Sequence, residues 1–285
     1  MNSKNIFLCL LFFAVSGGCA EKVWAAPVLS AHVEADLISE VTSIQPGHSF
    51  WLAVRLKMEE GWHTYWKNPG DSGLPPKLTW TLPEGLSVGN VLWPFPRLLD
   101  EAQLVTYGFE GTVLLFVEVN VDESVPVGIP KEIGLNAKWL SCREMCVPGM
   151  ADLSLVLSVE NQVPAKDVSV EQEFLEGRAQ LPRENASWDI KVRDRGKQLL
   201  FLLIPSSDAG ALKSAYFFPE RNDLIDHAAN QELKKTKTGY ELAVKKSQVN
   251  PGIKEINGVL FSEEGWQGRK EGLIPAITAN LILTK

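Results

Sequence analysis

The chain has 285 residues, of which 45% are apolar, so it is long enough to bury two ordinary domain cores and is not mainly disordered. Its net charge of −7 argues against a nucleic-acid-binding surface, because phosphate binding needs clustered Lys and Arg. The one notable basic run, Lys234–Lys237, is more simply interpreted as a solvated turn. We therefore expect no nucleic-acid partner.

The first 25 residues have the features of an export signal. Lys4 precedes the apolar run Ile6–Val15, which is too short for a stable membrane span, and Val23 and Ala25 occupy the small-residue positions of a cleavage site. We expect residues 1–25 to be a signal peptide that is removed after Ala25. No other apolar run is long enough to cross a membrane, so the mature chain is expected in the periplasm and not in the membrane.

Two of the four cysteines fall inside this segment. Lipoprotein anchoring at Cys19 is the less favoured alternative, because Ser16 stands three residues before it, where such sites prefer Leu or Val. Removal of residues 1–25 also removes Cys9 and leaves Cys142 and Cys146 as the only thiols. An isolated pair in an oxidising compartment is expected to interact with itself.

Short runs of alternating apolar residues fill most of the remaining chain. Between residues 26 and 160, "HSFWLAVRLKM", "KLTWTL", "TVLLFVEVNV" and "ADLSLVLSV" are separated by Pro, Gly, Asn and Asp. Runs of period two at this spacing are typical of an antiparallel sandwich. From residue 187 to 285 the pattern resumes in "WDIKVRD", "QLLFLLIP" and "YELAVKK", which predicts a second β-sandwich domain.

The stretch between the two strand-rich regions, residues 161–186, has a different pattern. Val170, Phe174, Leu175 and Ala179 stand at near-helical spacing, which predicts one short amphipathic helix in a connection between domains. The predicted fold class is therefore all-β, with two β-sandwich domains joined by a connection that contains a short helix.

The segment "EEGWHTYWKNPGDSGLPPKLTW" concentrates aromatic residues among turn-forming ones. Aromatics beside turns can build a rigid binding loop, but core packing is the more frequent role for any single one of them. His63 within this segment is a weak metal or base candidate, because the other histidines offer no recognisable ligand spacing with it.

The segment "AKWLSCREMCVPGM" places the two mature cysteines between two predicted strands, hence at a hairpin tip. If the three intervening residues form a helical turn, both cysteines face the same side and lie close enough to be bridged. A structural staple is weakly motivated, because closing so short a loop contributes only about 2 kcal/mol.

Two chemical roles therefore compete with the staple. Redox exchange is favoured by Arg143, whose charge supports a thiolate, and by the access that a hairpin tip gives to a partner. Copper(I) capture is the alternative, because Met145 and Met150 add soft thioethers to the two soft thiolates. The residues alone leave the three roles open.

Four motifs in the first half resemble a known family. In order, "GWHTYWKNPGDSGLPPKLTWTLPEGL", "WPFPRLL", "YGFEGTVLLFVEV" and "AKWLSCREMCVPG" look like the N-terminal periplasmic domain of the thiol:disulfide interchange protein DsbD, in the branch of suppressor-of-copper-sensitivity relatives. The resemblance covers roughly residues 28–159. It implies an immunoglobulin-like sandwich in which Cys142 and Cys146 exchange electrons without a cofactor.

The same resemblance implies partners for the pair. The family accepts electrons from a membrane-embedded thiol reductase and passes them to oxidised periplasmic thioredoxin-like proteins. The membrane segments and the thioredoxin-like domain of full-length members are not recognisable here, so this chain is expected to be one station of such a relay. Arg143 and the expected accessibility slightly favour Cys142 as the attacking thiolate.

Residues around the pair are also implied by the resemblance. The family shields its disulfide with an aromatic side chain, but Thr106 stands at that place here, so Tyr107 or Phe109 would provide the shielding. His63 and Tyr65 fall in the segment that lies near the cysteines. The family's better-known form has five residues between its cysteines, whereas this chain has three.

Overall fold

The structure, a computed structural model, describes residues 26–101, 104–184, 186–207, 209–248, 254–268 and 272–284. The expected signal peptide, with Cys9 and Cys19, lies outside these residues. In chain order the elements are β1 (Val28–Ser30), β2 (Val33–Ser39), β3 (Ser43–Ile44), β4 (Ser49–Met58), β5 (His63–Gly70), β6 (Lys77–Thr81), β7 (Leu86–Leu92), β8 (Arg97–Glu101), β9 (Leu104–Glu110), β10 (Thr112–Val121), β11 (Lys131–Cys142), β12 (Cys146–Val159), α1 (Glu171–Ala179), β13 (Trp188–Asp194), β14 (Gln198–Pro205), β15 (Tyr216–Pro219), β16 (Glu232–Lys235), β17 (Tyr240–Lys245), β18 (Glu255–Gly268) and β19 (Gly272–Thr284).

The first twelve strands form two facing sheets. One has the order β1-β2-β4-β10-β7, and the other has the order β3-β12-β11-β5-β9-β8, with β6 also pairing with β11. Alternate residues of β4, β5, β10 and β11 point between the sheets, where Leu52, Trp66, Leu115 and Leu135 are almost fully buried. The predicted all-β sandwich is confirmed for this half.

The predicted helix is present as α1 and packs on the outer face of the five-stranded sheet. Phe174 is buried there against Phe116, with ring centroids 5.6 Å apart. Leu175, by contrast, is 54% exposed and Ala179 is also exposed. The buried face of the helix is therefore narrower than the four residues predicted to form it. Positions 174, 177 and 178 share the sheet-facing side because three or four residues complete one helical turn.

Strands β13 to β19 form one connected sheet of order β15-β18-β19-β13-β14-β17-β16. The sheet folds over its own core, because rings from strands that are not neighbours in the sheet meet: Phe217 contacts Phe201 at 4.5 Å and Trp188 contacts Trp266 at 5.2 Å between centroids. This arrangement confirms a second sandwich. The domain boundaries proposed at 160/161 and 186/187 stay predictions.

The two halves also share apolar surface. Phe218, Val259 and Ala276 of the second half belong to the same buried cluster as the core of the first. No helix among the described residues is long and apolar enough to span a membrane. The two sandwiches therefore meet through buried side chains, and this contact reaches the strands that carry the site described below.

We expect the ion pair between Arg178 of α1 and Glu40 to make the free energy of unfolding depend on pH in the acidic range. Arg178 donates from both terminal nitrogens to the Glu40 carboxylate at 2.6 Å, and these hydrogen bonds lower the pKa of Glu40. A lowered folded-state pKa contributes stability that is present above the unfolded-state value, near 4.3, and is lost as the pH falls through the folded-state pKa. Glu40→Gln should lower the free energy of unfolding by about 1 kcal/mol at pH 7, measured by urea unfolding.

The difference between wild type and Glu40→Gln should shrink as the pH is lowered below about 4. Glu171→Gln is the matched control, because its exposed pairing with Lys166 at 4.0 Å contributes little. A constant difference from pH 7 to pH 3 would contradict this assignment.

Candidate functional site

The two mature cysteines are joined in a disulfide at the tip of the β11–β12 hairpin. The ladder of these strands runs in register from Lys131↔Leu157 to Cys142↔Cys146, so the cysteines are cross-strand partners with Cα atoms 4.1 Å apart. The predicted hairpin position is confirmed. The helical turn considered for the intervening residues does not form, because residues 143–145 form a bend in which the Arg143 amide donates to the Met145 carbonyl at 3.3 Å.

The two sulfur-bearing residues differ sharply in exposure. Cys142 is 1% exposed, whereas Cys146 is exposed to solvent. The expectation that Cys142 is the more accessible thiolate is therefore wrong. The reason is that β11 lies between β12 and β5, while Cys146 begins β12 on the open side of the tip. Of the two cysteines, Cys146 is therefore the one that solvent and a partner can approach.

Strand β5 covers Cys142 from the other side. His63 is its cross-strand partner, and Tyr65 stands two residues further along on the same face of the sheet. The hydroxyl of Tyr65 donates to Cys142 Sγ at 2.7 Å and lies 3.5 Å from Cys146 Sγ. The rings of His63 and Tyr65 meet edge to face at 5.3 Å. Both residues were predicted only as neighbours, and the structure brings both to the pair.

This face of the sheet is the outer one, which makes the burial of Tyr65 unusual. Ala137 and Trp139 of β11 and Trp66 of β5 point into the sandwich, so Cys142 and Tyr65 point away from it. Tyr65 is nevertheless fully buried, because the loop of residues 71–76 lies on its ring. A Cβ at Gly73 would stand 2.0 Å from the Tyr65 ring, and Gly73 has φ +96°. We call residues 71–76 the cover loop.

The expected aromatic shield is not where the resemblance placed it. Tyr65 is cross-strand partner to Gly108, so Tyr107 and Phe109 point to the opposite, core-facing side of the sheet. The expectation that Tyr107 or Phe109 shields the disulfide is therefore wrong. Thr106 is buried on the Tyr65 side and its hydroxyl lies 3.2 Å from that of Ser72 in the cover loop. The aromatic side chain on the disulfide is therefore Tyr65, and the cover loop lies on Tyr65.

The charged and thioether groups of the tip face solvent. The Arg143 side chain runs beside Gly61, and Met145 is 70% exposed between the two cysteines. Met150 is also exposed, but it stands four residues along β12 from Cys146, about 13 Å at 3.3 Å per residue. Among the described residues, no three His, Cys, Asp or Glu side chains cluster closely enough to hold a metal ion.

Comparison with a family model identifies the first sandwich. Residues 33–158 match the model described as "Thiol:disulfide interchange protein DsbD, N-terminal". The match to the DsbD N-terminal family is to this segment, which is somewhat less than half of the chain. The match contains the whole β11–β12 tip, with both cysteines, as well as β5 and the cover loop. No curated protein sequence matches the chain.

Solved structures extend the likeness beyond the DsbD N-terminal segment. The N-terminal periplasmic domain of ScsB from Proteus mirabilis is 16% identical with a TM-score of 0.60, covering 88% of this chain and 93% of that one. This coverage includes most of the second sandwich, so the two-sandwich fold is shared. The periplasmic chaperone SfaE (11% identity, 87% and 100% coverage, TM-score 0.23) and the pilin subunit BcpA from Bacillus cereus (9%, 88% and 70%, 0.27) are too dissimilar to inform the comparison.

We predict that the Tyr65 hydroxyl accelerates opening of the disulfide. When Cys146 is attacked, Cys142 leaves as a thiolate, and a hydrogen bond to the charged sulfur stabilises it by more than a bond to the neutral one. Tyr65→Phe should slow reduction by dithiothreitol about tenfold, on the basis of roughly 1.5 kcal/mol for a hydrogen bond to a charged group. The measurement is the pseudo-first-order rate of thiol release.

Tyr240→Phe is the control, because its hydroxyl accepts from the Leu212 amide in the second sandwich at 3.0 Å. It should leave the reduction rate unchanged. An unchanged or faster rate in Tyr65→Phe would show that the hydroxyl does not assist the leaving sulfur.

Proposed function

We propose that this chain exchanges thiols and disulfides with protein partners in the periplasm, relaying electrons between a membrane-embedded thiol reductase and oxidised thioredoxin-like proteins. The observation that carries the proposal is the asymmetric disulfide: Cys146 exposed at a hairpin tip, and Cys142 buried under the Tyr65 hydroxyl. A structural staple needs no such asymmetry. The match of residues 33–158 to the DsbD N-terminal family supports the same conclusion.

The reductive half of the cycle begins at the exposed sulfur. A thiolate of the reductase attacks Cys146 Sγ, the bond between Cys142 and Cys146 breaks, and its electron pair leaves on Cys142. The Tyr65 hydroxyl donates to this developing charge. A second thiolate of the reductase then attacks the mixed disulfide and releases Cys146, so two electrons have entered the pair.

The oxidative half reverses these roles. The Cys146 thiolate attacks a disulfide of the thioredoxin-like partner, which forms a mixed disulfide and expels one partner thiolate. Cys142 then attacks Cys146 Sγ in that mixed disulfide and expels the second partner sulfur as a thiolate. The protein disulfide is restored and the partner leaves reduced. Cys142 thus needs only to reach Cys146, which suits its buried position.

The surroundings of Cys146 suit a protein partner. Met145, which directly precedes Cys146, is 70% exposed, and Leu74 is 65% exposed in the cover loop, whose Gly73 rests on the ring of Tyr65. Exposed apolar side chains around a reactive centre are typical of a protein-docking surface, since a partner that covers them removes their apolar area from water and thereby stabilises the complex. The partner face that docks here is expected to be apolar around its own cysteines.

We expect the two single cysteine variants to behave differently with an oxidised thioredoxin-like protein. Reduced Cys142→Ser keeps the accessible attacking thiolate and loses the resolving one, so a mixed disulfide should accumulate on Cys146. Cys146→Ser keeps only a buried thiol and should trap several-fold less. Non-reducing electrophoresis and mass spectrometry measure the adduct, and the double variant is the control.

Equal trapping by both single variants, or trapping by Cys146→Ser alone, would overturn the assignment of Cys146 as the attacking residue. Absence of an adduct from every variant would contradict exchange with this class of partner.

Copper(I) binding by the reduced protein is a second candidate. It is favoured by the exposed Met145 thioether standing between the two cysteines, since thiolates and thioethers are the ligands that copper(I) prefers. Met150 is too far along β12 to complete the same site. If copper is bound, Met145→Leu should weaken copper(I) affinity at least tenfold in a competition titration, whereas Met150→Leu should not change it.

A further inference from the structure

One of the segments through which the second sandwich touches the redox half is residues 216–227, which we call the clamp. It consists of β15 and the turn that follows it. Phe218 of the clamp contacts the rings of Trp66 in β5 and Tyr107 in β9, at 6.4 and 5.0 Å between centroids. The clamp therefore spans two adjacent strands of the sheet whose outer face carries the disulfide.

The polar contacts of the clamp converge on the end of β5. The Asn222 side-chain amide donates to the Gly70 carbonyl, and the Asn68 amide donates to the Pro219 carbonyl at 2.7 Å. Asn68 in turn accepts from the Gly70 amide at 3.1 Å. Glu220 forms an ion pair with Lys67. Both backbone groups of Gly70 are thus fixed at the point where the cover loop begins.

A second set of contacts holds the clamp itself in place on β9. The His227 ring lies 2.8 Å from the Asn222 carbonyl through Nε2 and 2.9 Å from the Tyr107 hydroxyl through Nδ1. Because a carbonyl only accepts, Nε2 of His227 donates to the Asn222 carbonyl. Burial raises the pKa of Tyr107 far above its usual range, so its hydroxyl stays a donor. Tyr107 also lies 3.2 Å from the Tyr216 hydroxyl.

From Gly70 a short chain of contacts leads to the disulfide. The cover loop starts at the next residue, where the Asp71 amide donates to the Val105 carbonyl at 2.9 Å. Two residues on, Gly73 rests against the ring of Tyr65, and the Tyr65 hydroxyl touches Cys142 Sγ. Gly73 is half-buried and the Tyr65–Cys142 contact is buried, so a displacement of Gly70 that moves the cover loop is transmitted to Tyr65.

We propose that the clamp of the second sandwich is a positioning element for the redox site, and that Asn222 is its central residue. By fixing Gly70, Asn222 holds the cover loop on Tyr65 and keeps the Tyr65 hydroxyl on the leaving sulfur of Cys142. The second sandwich thereby sets the rate at which the disulfide opens. This inference deepens the proposed function and rests on it, since it concerns the same disulfide.

A double-mutant cycle on reduction by dithiothreitol tests the inference. Asn222→Ala removes one hydrogen bond to Gly70 and should slow reduction about fivefold, the equivalent of roughly 1 kcal/mol. In the Tyr65→Phe background the hydroxyl is already absent, so the double variant should reduce no more slowly than Tyr65→Phe alone. The reduction potential of Asn222→Ala should shift in the same direction as that of Tyr65→Phe, towards a more stable disulfide.

Arg221→Gln is the matched control, because Arg221 lies in the clamp but pairs with Asp223 of the same segment at 2.7 Å. It should leave the rate unchanged. If Asn222→Ala lowers the thermal stability, Glu220→Gln replaces it, since this change removes only the ion pair to Lys67. The proposal would be overturned if the slowing caused by Asn222→Ala or Glu220→Gln added in full to the slowing caused by Tyr65→Phe. It would also be overturned if Asn222→Ala or Glu220→Gln by itself left the rate of reduction unchanged or raised it.

Failure here is distinguishable from failure of the proposed function. Dithiothreitol requires no protein partner, so the cycle reports only how Tyr65 is positioned on the disulfide. Trapping by Cys142→Ser reports whether the protein exchanges disulfides with a protein partner, and this result does not depend on the clamp.

Discussion

The register of β11 between β12 and β5 is the constraint on which the site depends. On one side the register makes Cys142 the cross-strand partner of Cys146, and on the other it makes Cys142 the partner of His63. Tyr65 then falls on the same outer face as Cys142 by the two-residue period of the strand. A slip of one residue in β5 would turn Tyr65 into the sandwich core and Trp66 out of it, so the buried core fixes the chemistry on the opposite face.

This register also makes the two sulfurs chemically unequal. Cys142 is buried beside β5 and contacts Tyr65, while Cys146 is exposed at the tip. An attacking thiolate would approach the sulfur of Cys146, and the Tyr65 hydroxyl already donates a hydrogen bond to the sulfur of Cys142, where negative charge would develop. In the proposed exchange, this inequality would direct attack to Cys146 and charge to Cys142, whereas the side chain of the neighbouring Arg143 extends towards solvent beside Gly61.

The second sandwich takes part in the same arrangement. Its Phe218 enters the core cluster of the first sandwich, and its Asn222 and His227 join the polar contacts at β5 and β9. The helix α1, by contrast, packs on the far sheet through Phe174 and the Arg178–Glu40 ion pair. The connection between the sandwiches thus braces the sheet that lacks the disulfide, while β15 and its turn brace the sheet that carries it.

Local pattern in the sequence determined much of this architecture. Alternating apolar runs predicted the all-β sandwiches, near-helical spacing predicted α1, and the strands around "SCREMC" placed both cysteines at a hairpin tip. These features depend on residues close together in the chain, whose periodicity reports directly on the local backbone. Resemblance to the DsbD N-terminal family supplied the exchange chemistry and the neighbourhood of His63 and Tyr65.

Only the tertiary structure decided which groups act on the disulfide. Periodicity shows that Tyr65 and Trp66 face opposite ways, but not which of them faces the core, and Tyr65 meets Cys142 from 77 positions away. The same ambiguity explains why Tyr107 and Phe109, on the core side, were wrongly expected to shield the pair. Exposure of Cys146 rather than Cys142, and the contact of Asn222 with Gly70, depend on long-range packing, which no local pattern in the chain encodes.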